Sequence, residues 1–158
     1  MKIKGLIDED FVNYKKPSMF IAFPTCSFKC EKECGVRCCQ NSPLAAEKEI
    51  EIDPKTLAAR YLDNPITSAV VCGGLEPFDS FVDLCSLINT IREFTDDDIV
   101  VYTGYKPDEI KPEIALLRGQ ENIIVKYGRY IPGQKSHFDP VLGVMLASDN
   151  QFAERISS

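Results

Sequence analysis

The chain has 158 residues, 44% hydrophobic and 27% charged, which fits one globular domain over residues 1–158 with a core that needs no covalent staples. Acidic residues outnumber basic ones, 24 to 18, for a formal charge of -6, the wrong balance for a protein that grips nucleic-acid phosphates. No apolar run approaches the roughly 20 residues of a membrane span, and the first ten residues lack the apolar core of a secretory signal, so the expected location is the cytoplasm, where thiols stay reduced.

Residues 1–17 are mixed and polar, ending at Lys15-Lys16-Pro17. Ser-Met-Phe-Ile-Ala-Phe, residues 18–23, is an apolar run stopped by Pro24 and predicts a buried strand. Directly after it come Cys26, Cys30, Cys34, Cys38 and Cys39, five of the seven cysteines within fourteen residues. Asp53-Pro54 marks a helix start, an Asp N-cap with Pro at the first helical position, and the helix runs to about Leu62 before Asn64-Pro65. Residues 67–72 form a second buried strand, and Gly73-Gly74-Leu75-Glu76-Pro77 turns the chain. From 78 to 94, Phe81, Leu84, Cys85, Ile88 and Ile91 recur at helical spacing, which makes Cys85 a packing residue. Residues 98–103 predict a third strand ended by Gly104-Tyr105, followed by a helix over 106–117 interrupted near Lys111-Pro112. A fourth strand covers 122–127, a loop 128–140 and a last strand 141–147, with a polar tail from Ser148.

Strands alternating with helices imply βαβ units, a parallel sheet and right-handed crossovers. Ligands gather at the carboxyl ends of such strands. The cysteine segment, the turn at 73–77 and the turn at 103–105 each follow a predicted strand, so they are expected to share one edge.

Clustered cytoplasmic thiols signal metal before disulfide. The spacing leaves two metals open: an iron–sulfur cluster on thiolates, or a structural zinc with four of them. Paired glycines at 73 and 74 let backbone approach a ligand closely, or simply permit a bend. Tyr102 and Tyr105 flank a hydroxyl and a glycine, which suits an adenine or plain packing. His137, the only histidine, reads as a solvated loop residue, and Asp96-Asp97-Asp98 and Lys15-Lys16 read as solvated surface.

Together, Cys26-x3-Cys30, the later Cys39-Gln40-Asn41-Ser42-Pro43, Gly73-Gly74-Leu75-Glu76-Pro77 and Tyr102-Thr103-Gly104 resemble the radical S-adenosylmethionine enzymes, nearest to the small activating proteins of anaerobic (class III) ribonucleoside-triphosphate reductases. Asp10-Phe11-Val12-Asn13 resembles the segment that leads into that family's first strand. Val125-Lys126-Tyr127-Gly128-Arg129-Tyr130 and Ser148-Asp149-Asn150-Gln151 resemble its late strand-loop and C-terminal signature. Departures accompany the likeness. Glu33 stands where the third cysteine of Cys-x3-Cys-x2-Cys belongs, and aligning Cys39 with that ligand leaves an insertion carrying Cys34 and Cys38, either of which could serve instead. Cys38 replaces the usual ring before the third ligand, with Phe28 the substitute. Leu75 is additional in the glycine motif, and Tyr14-Lys15-Lys16-Pro17 replaces a Gly-Pro-Gly.

The resemblance implies an α/β fold, an incomplete parallel (β/α) barrel with the cluster loop after its first strand. It implies a 4Fe-4S cluster on Cys26, Cys30 and Cys39, with S-adenosylmethionine chelated at the open iron. Gly73, Gly74, Glu76 and Pro77 would meet the methionine end, and Tyr102, Thr103 and Gly104 the nucleoside. A flavodoxin- or ferredoxin-like donor would supply the electron, and a glycine of the partner reductase would become the radical. An activator of another glycyl-radical enzyme, of the pyruvate formate-lyase type, and a non-enzymatic zinc-stabilised interaction module are the alternatives.

Overall fold

The computed structural model describes residues 1–25, 44 and 46–158. Four strands, β3 (Ser18–Phe23), β5 (Ala69–Gly74), β6 (Asp98–Tyr102) and β7 (Ile123–Tyr127), lie side by side and parallel in that order. Their side chains are buried almost throughout, which is why each reads as an unbroken apolar run rather than an alternating one. An antiparallel strand closes each edge: β2 (Gly5–Asp10) beside β3, and β10 (Phe152–Arg155) beside β7. Two small ribbons stand apart, β1 (Lys2–Ile3) with β4 (Ile50–Glu51), and β8 (His137–Asp139) with β9 (Val144–Leu146).

Helices α1 (Pro54–Leu62), α2 (Phe81–Arg92) and α3 (Lys111–Leu117) make the crossovers and cover one face of the sheet. Asp53 starts α1 as an N-cap, its carboxylate accepting the Lys55 N–H at 2.8 Å, with Pro54 opening the first turn. In α2, Leu84, Leu87, Ile88 and Ile91 are buried against Val70, Cys72, Ile99 and Val101. Each such side chain contributes about 1.5–3 kcal/mol by leaving water. Tyr14, Leu142 and Leu146 pack on the opposite face over Val71, Val100 and Ile124, so the β8–β9 ribbon shields the lower part of that face. Among the described residues, no helix is long and apolar enough to cross a membrane.

The sheet is mixed and mostly parallel, and several expected boundaries shift. Strand β5 runs through Gly73 and Gly74, which pair with Ala22 and Phe23 instead of starting a turn. A Cβ on Gly74, at φ +79°, would stand 2.7 Å from the Ala22 backbone, so this close strand approach demands glycine. The expected single helix over 78–94 is a 3-10 turn at Pro77–Ser80 followed by α2. The polar ends of the chain supply both edge strands, β2 and β10, and His137 opens β8 inside the expected loop. The last expected strand narrows to β9 and leaves the central sheet. Asp98 is no surface residue. It is buried at the start of β6, where the Tyr14 hydroxyl, Lys16 Nζ and the Arg155 guanidinium donate to it at 2.7, 2.9 and 3.0 Å.

Candidate functional site

Parallel β3, β5 and β6 deliver their following segments to one edge, as the chain order implied. The ladder continues past the strand ends. Glu76 N–H donates to Thr25 O at 2.7 Å, Thr103 N–H to Lys126 O at 2.8 Å, and Gly128 N–H to Tyr105 O at 3.1 Å. Thr25 and Leu44, which flank the cysteine segment, both sit at the end of β5: Leu44 Cδ2 is 3.0 Å from where a Gly74 Cβ would be, and Thr25 Oγ1 is 3.1 Å from Ser80 Oγ. Cys26, Cys30, Cys34, Cys38 and Cys39, with Phe28, lie outside the described residues. Cys72 and Cys85 are free thiols among the core packing, and burial pushes the Cys72 thiol up to about 12.

Glu76 is the hub between two turns. Its carboxylate accepts the Phe78 N–H at 3.1 Å through one oxygen and the Gly104 N–H at 2.9 Å through the other. Both contacts are local consequences of the sequence: Glu76 caps the 3-10 turn that Pro77 begins, and the β6 turn carries a glycine amide within reach. Burial raises the Glu76 carboxyl to about 7, although the hydrogen bonds from Gly104, Thr103 and Phe78 favour its charged form.

On the sheet face that bears the ribbon, Gly5, Ala22, Gly73, Tyr102, Lys126 and Ala153 follow one another across the strands. The first three are small and leave the floor low. Phe20 partly fills it, with its ring 3.1 Å from where a Gly73 Cβ would be. Tyr102 donates its hydroxyl proton to Asn13 O at 2.6 Å, and the Lys126 ammonium sits 5.7 Å from its ring centroid. Lys126 is 7% exposed and donates to Gly128 O at 2.9 Å. Burial lowers its ammonium to about 8, with the Glu76 carboxylate opposing that fall. Beside it, Arg129 forms a bidentate ion pair with Glu109, both contacts 2.7 Å, and its guanidinium lies 5.7 Å from the Tyr105 ring.

The structure thus gathers Gly73, Gly74, Glu76, Tyr102, Thr103 and Gly104 at one edge, with Pro77 opening the helical turn behind Glu76. Lys126 and Arg129, expected only as part of the segment 125–130, join this edge as well. For Lys126 the signal was available: a lone charge in the apolar run Asn-Ile-Ile-Val-Lys-Tyr. For Arg129 there was none, because Glu109 lies twenty residues away.

Both described flanks of the thiol-rich segment, Thr25 and Leu44, stand at the carboxyl end of β5 in an α/β protein. The segment's donor set suits an iron–sulfur cluster, since thiolates are the usual ligands and both flanks return to the same strand end. The chain matches the family model described as a 4Fe-4S single cluster domain over residues 18–143, and it belongs to that family. No curated protein and no solved structure matches the chain. The family decides between the two metals that spacing left open: the protein carries a 4Fe-4S cluster rather than zinc.

Proposed function

We propose that the protein is a radical S-adenosylmethionine activating enzyme, working in the cytoplasm, that generates a glycyl radical on an anaerobic ribonucleoside-triphosphate reductase. One observation supports this most: the close-approach glycines, the buried Glu76 and the Tyr102–Lys126 contact all stand where the flanks of the cysteine segment meet the sheet. A merely electron-carrying cluster needs no such prepared wall. Cys26, Cys30 and Cys39 would hold the cluster. Bound there, a reduced cluster would supply the electron for reductive cleavage of S-adenosylmethionine, the chemistry from which a glycyl radical on the partner would follow.

The chain's own residues bind and orient. Gly73 and Gly74 admit backbone and ligand at close range. Glu76 fixes the turns after β5 and β6 to one another and offers its remaining lone pairs to the cofactor's amino group. Tyr102, Thr103 and Gly104 line the nucleoside. The ribbon and Tyr14 exclude water from the lower sheet face. An incomplete barrel leaves room for a glycine loop of a macromolecular partner, and a flavodoxin- or ferredoxin-like protein serves as donor.

Anaerobic reconstitution with iron and sulfide, reduction and addition of S-adenosylmethionine test this. The expected product is 5′-deoxyadenosine; a protein with cluster absorbance but no cleavage sinks the activity. Replacing each loop cysteine by Ala and measuring iron checks the ligands, with retention of iron in Cys39→Ala and its loss in Cys34→Ala overturning the assignment. A glycyl-radical signal in electron paramagnetic resonance, tested with reductase and with a pyruvate formate-lyase type enzyme, distinguishes the partners.

A further inference from the structure

The turn Ser148-Asp149-Asn150-Gln151 has no role in the function just proposed, yet Ser148 is fully buried and Gln151 only 6% exposed. The turn closes on itself. Gln151 N–H donates to Ser148 O at 3.2 Å, Ser148 N–H to Gln151 Oε1 at 3.0 Å, and Ser148 Oγ lies 2.7 Å from Asn150 Oδ1. The Asn150 N–H donates to Gln134 Oε1 at 3.1 Å, and further hydrogen bonds reach residues 128–131. Gln151 Nε2 donates to Gly128 O at 3.2 Å, Asn150 Nδ2 donates to Arg129 O at 2.8 Å, and Ser148 Oγ accepts the Ile131 N–H at 3.3 Å. The fit is tight: Gly128 has φ +104°, and a Cβ there would stand 3.2 Å from Asn150 O.

These clamped residues hold the next turn in their own right. Gly128 N–H donates to Tyr105 O, and Arg129, locked by Glu109, covers the Tyr105 ring and places its Cγ 3.5 Å from where a Gly104 Cβ would be. We propose that Ser148, Asn150 and Gln151 are positioning residues that set the backbone of residues 128–129 and, through Gly128 N–H and Arg129, the turn at 102–105 proposed to line the nucleoside. The ligand in this inference rests on the proposed function; the clamp rests on the hydrogen bonds alone.

The test uses the full chain, reconstituted anaerobically, with Gln151→Met, which keeps the volume and removes both hydrogen bonds. Asn150→Asp, which loses only the donor to Arg129 O, serves as a second variant should the first fail to fold. Expected are unchanged iron content, Gly128 amide exchange faster by about tenfold, and an apparent KM for S-adenosylmethionine raised about five- to tenfold at nearly constant kcat. Unchanged amide exchange overturns the clamp. Faster exchange at unchanged KM overturns its reach to the nucleoside wall, and so does a fall in kcat with loss of iron. Should the unaltered protein cleave no S-adenosylmethionine, the functional reading falls and amide exchange alone decides the clamp.

Discussion

At the amino end of the parallel strands, Asp98 collects Tyr14, Lys16 and Arg155 around one carboxylate. Burial alone would raise that carboxyl, but the three donors outweigh it and hold the group at about 2. At the carboxyl end, Glu76 and Lys126 have no charged partner at hydrogen-bond distance among the described residues; backbone groups and the Thr103 hydroxyl hold them, and burial moves both toward neutrality, to about 7 and about 8. One sheet therefore carries a fully compensated charge at one end and two poorly compensated ones at the other. The first arrangement ties three distant segments together. The second costs stability and is the kind of environment in which functional groups are found.

Four substitutions break or sharpen this contrast. The largest expected effect is Gly74→Val, which combines a positive φ with a 2.7 Å clash against backbone; thermal unfolding should show a loss above about 3 kcal/mol. Asp98→Asn leaves Lys16 and Arg155 without their shared anion and should lower stability in urea by about 2–3 kcal/mol at neutral pH. Because the folded-state value of Asp98 lies below its ordinary 3.8, its contribution is present above pH 4 and fades as pH falls toward 2, and the variant should lack that slope. Neutralising charge at the other end should do the opposite. Lys126→Met removes a buried cation and should gain about 1 kcal/mol at pH 7, net of the lost bond to Gly128 O. Lys126 binds its proton more tightly when unfolded, so the unaltered protein should gain stability as pH rises from about 8 toward 10.5, and the variant should not. The smallest effect on stability belongs to Gly104→Ala. Its new Cβ would meet Arg129 at 3.5 Å and Glu76 at 3.7 Å, ordinary contacts. Stability should stay within about 0.5 kcal/mol, while the KM for S-adenosylmethionine rises severalfold if the nucleoside passes there; an unchanged KM removes Gly104 from the site.

The parallel centre was legible because burial on both faces leaves an unbroken apolar run, and β3 has the bounds its sequence predicts. The α1 start was legible because Asp53 and Pro54 specify it locally. The edge strands were not. Gly-Leu-Ile-Asp-Glu-Asp and Phe-Ala-Glu-Arg are half solvated, so neither shows a clean period. The glycines at 73 and 74 misled for a physical reason: glycine serves equally for a bend and for a strand that must press against its neighbour. In the site, the turns were found by topology, whereas the clamp on Arg129 depends on contacts between segments about twenty residues apart.

The reversed strands at both borders also act as topological stops. A further right-handed βα unit would have to lie parallel to its neighbour, and neither β2 nor β10 offers that direction to the four central strands. A sheet stopped on both sides has no route to new selectivity by adding strands to its parallel run. Divergence within such a scaffold must be written into the connections at the carboxyl edge, among them the segment between Thr25 and Leu44 that bears five cysteines.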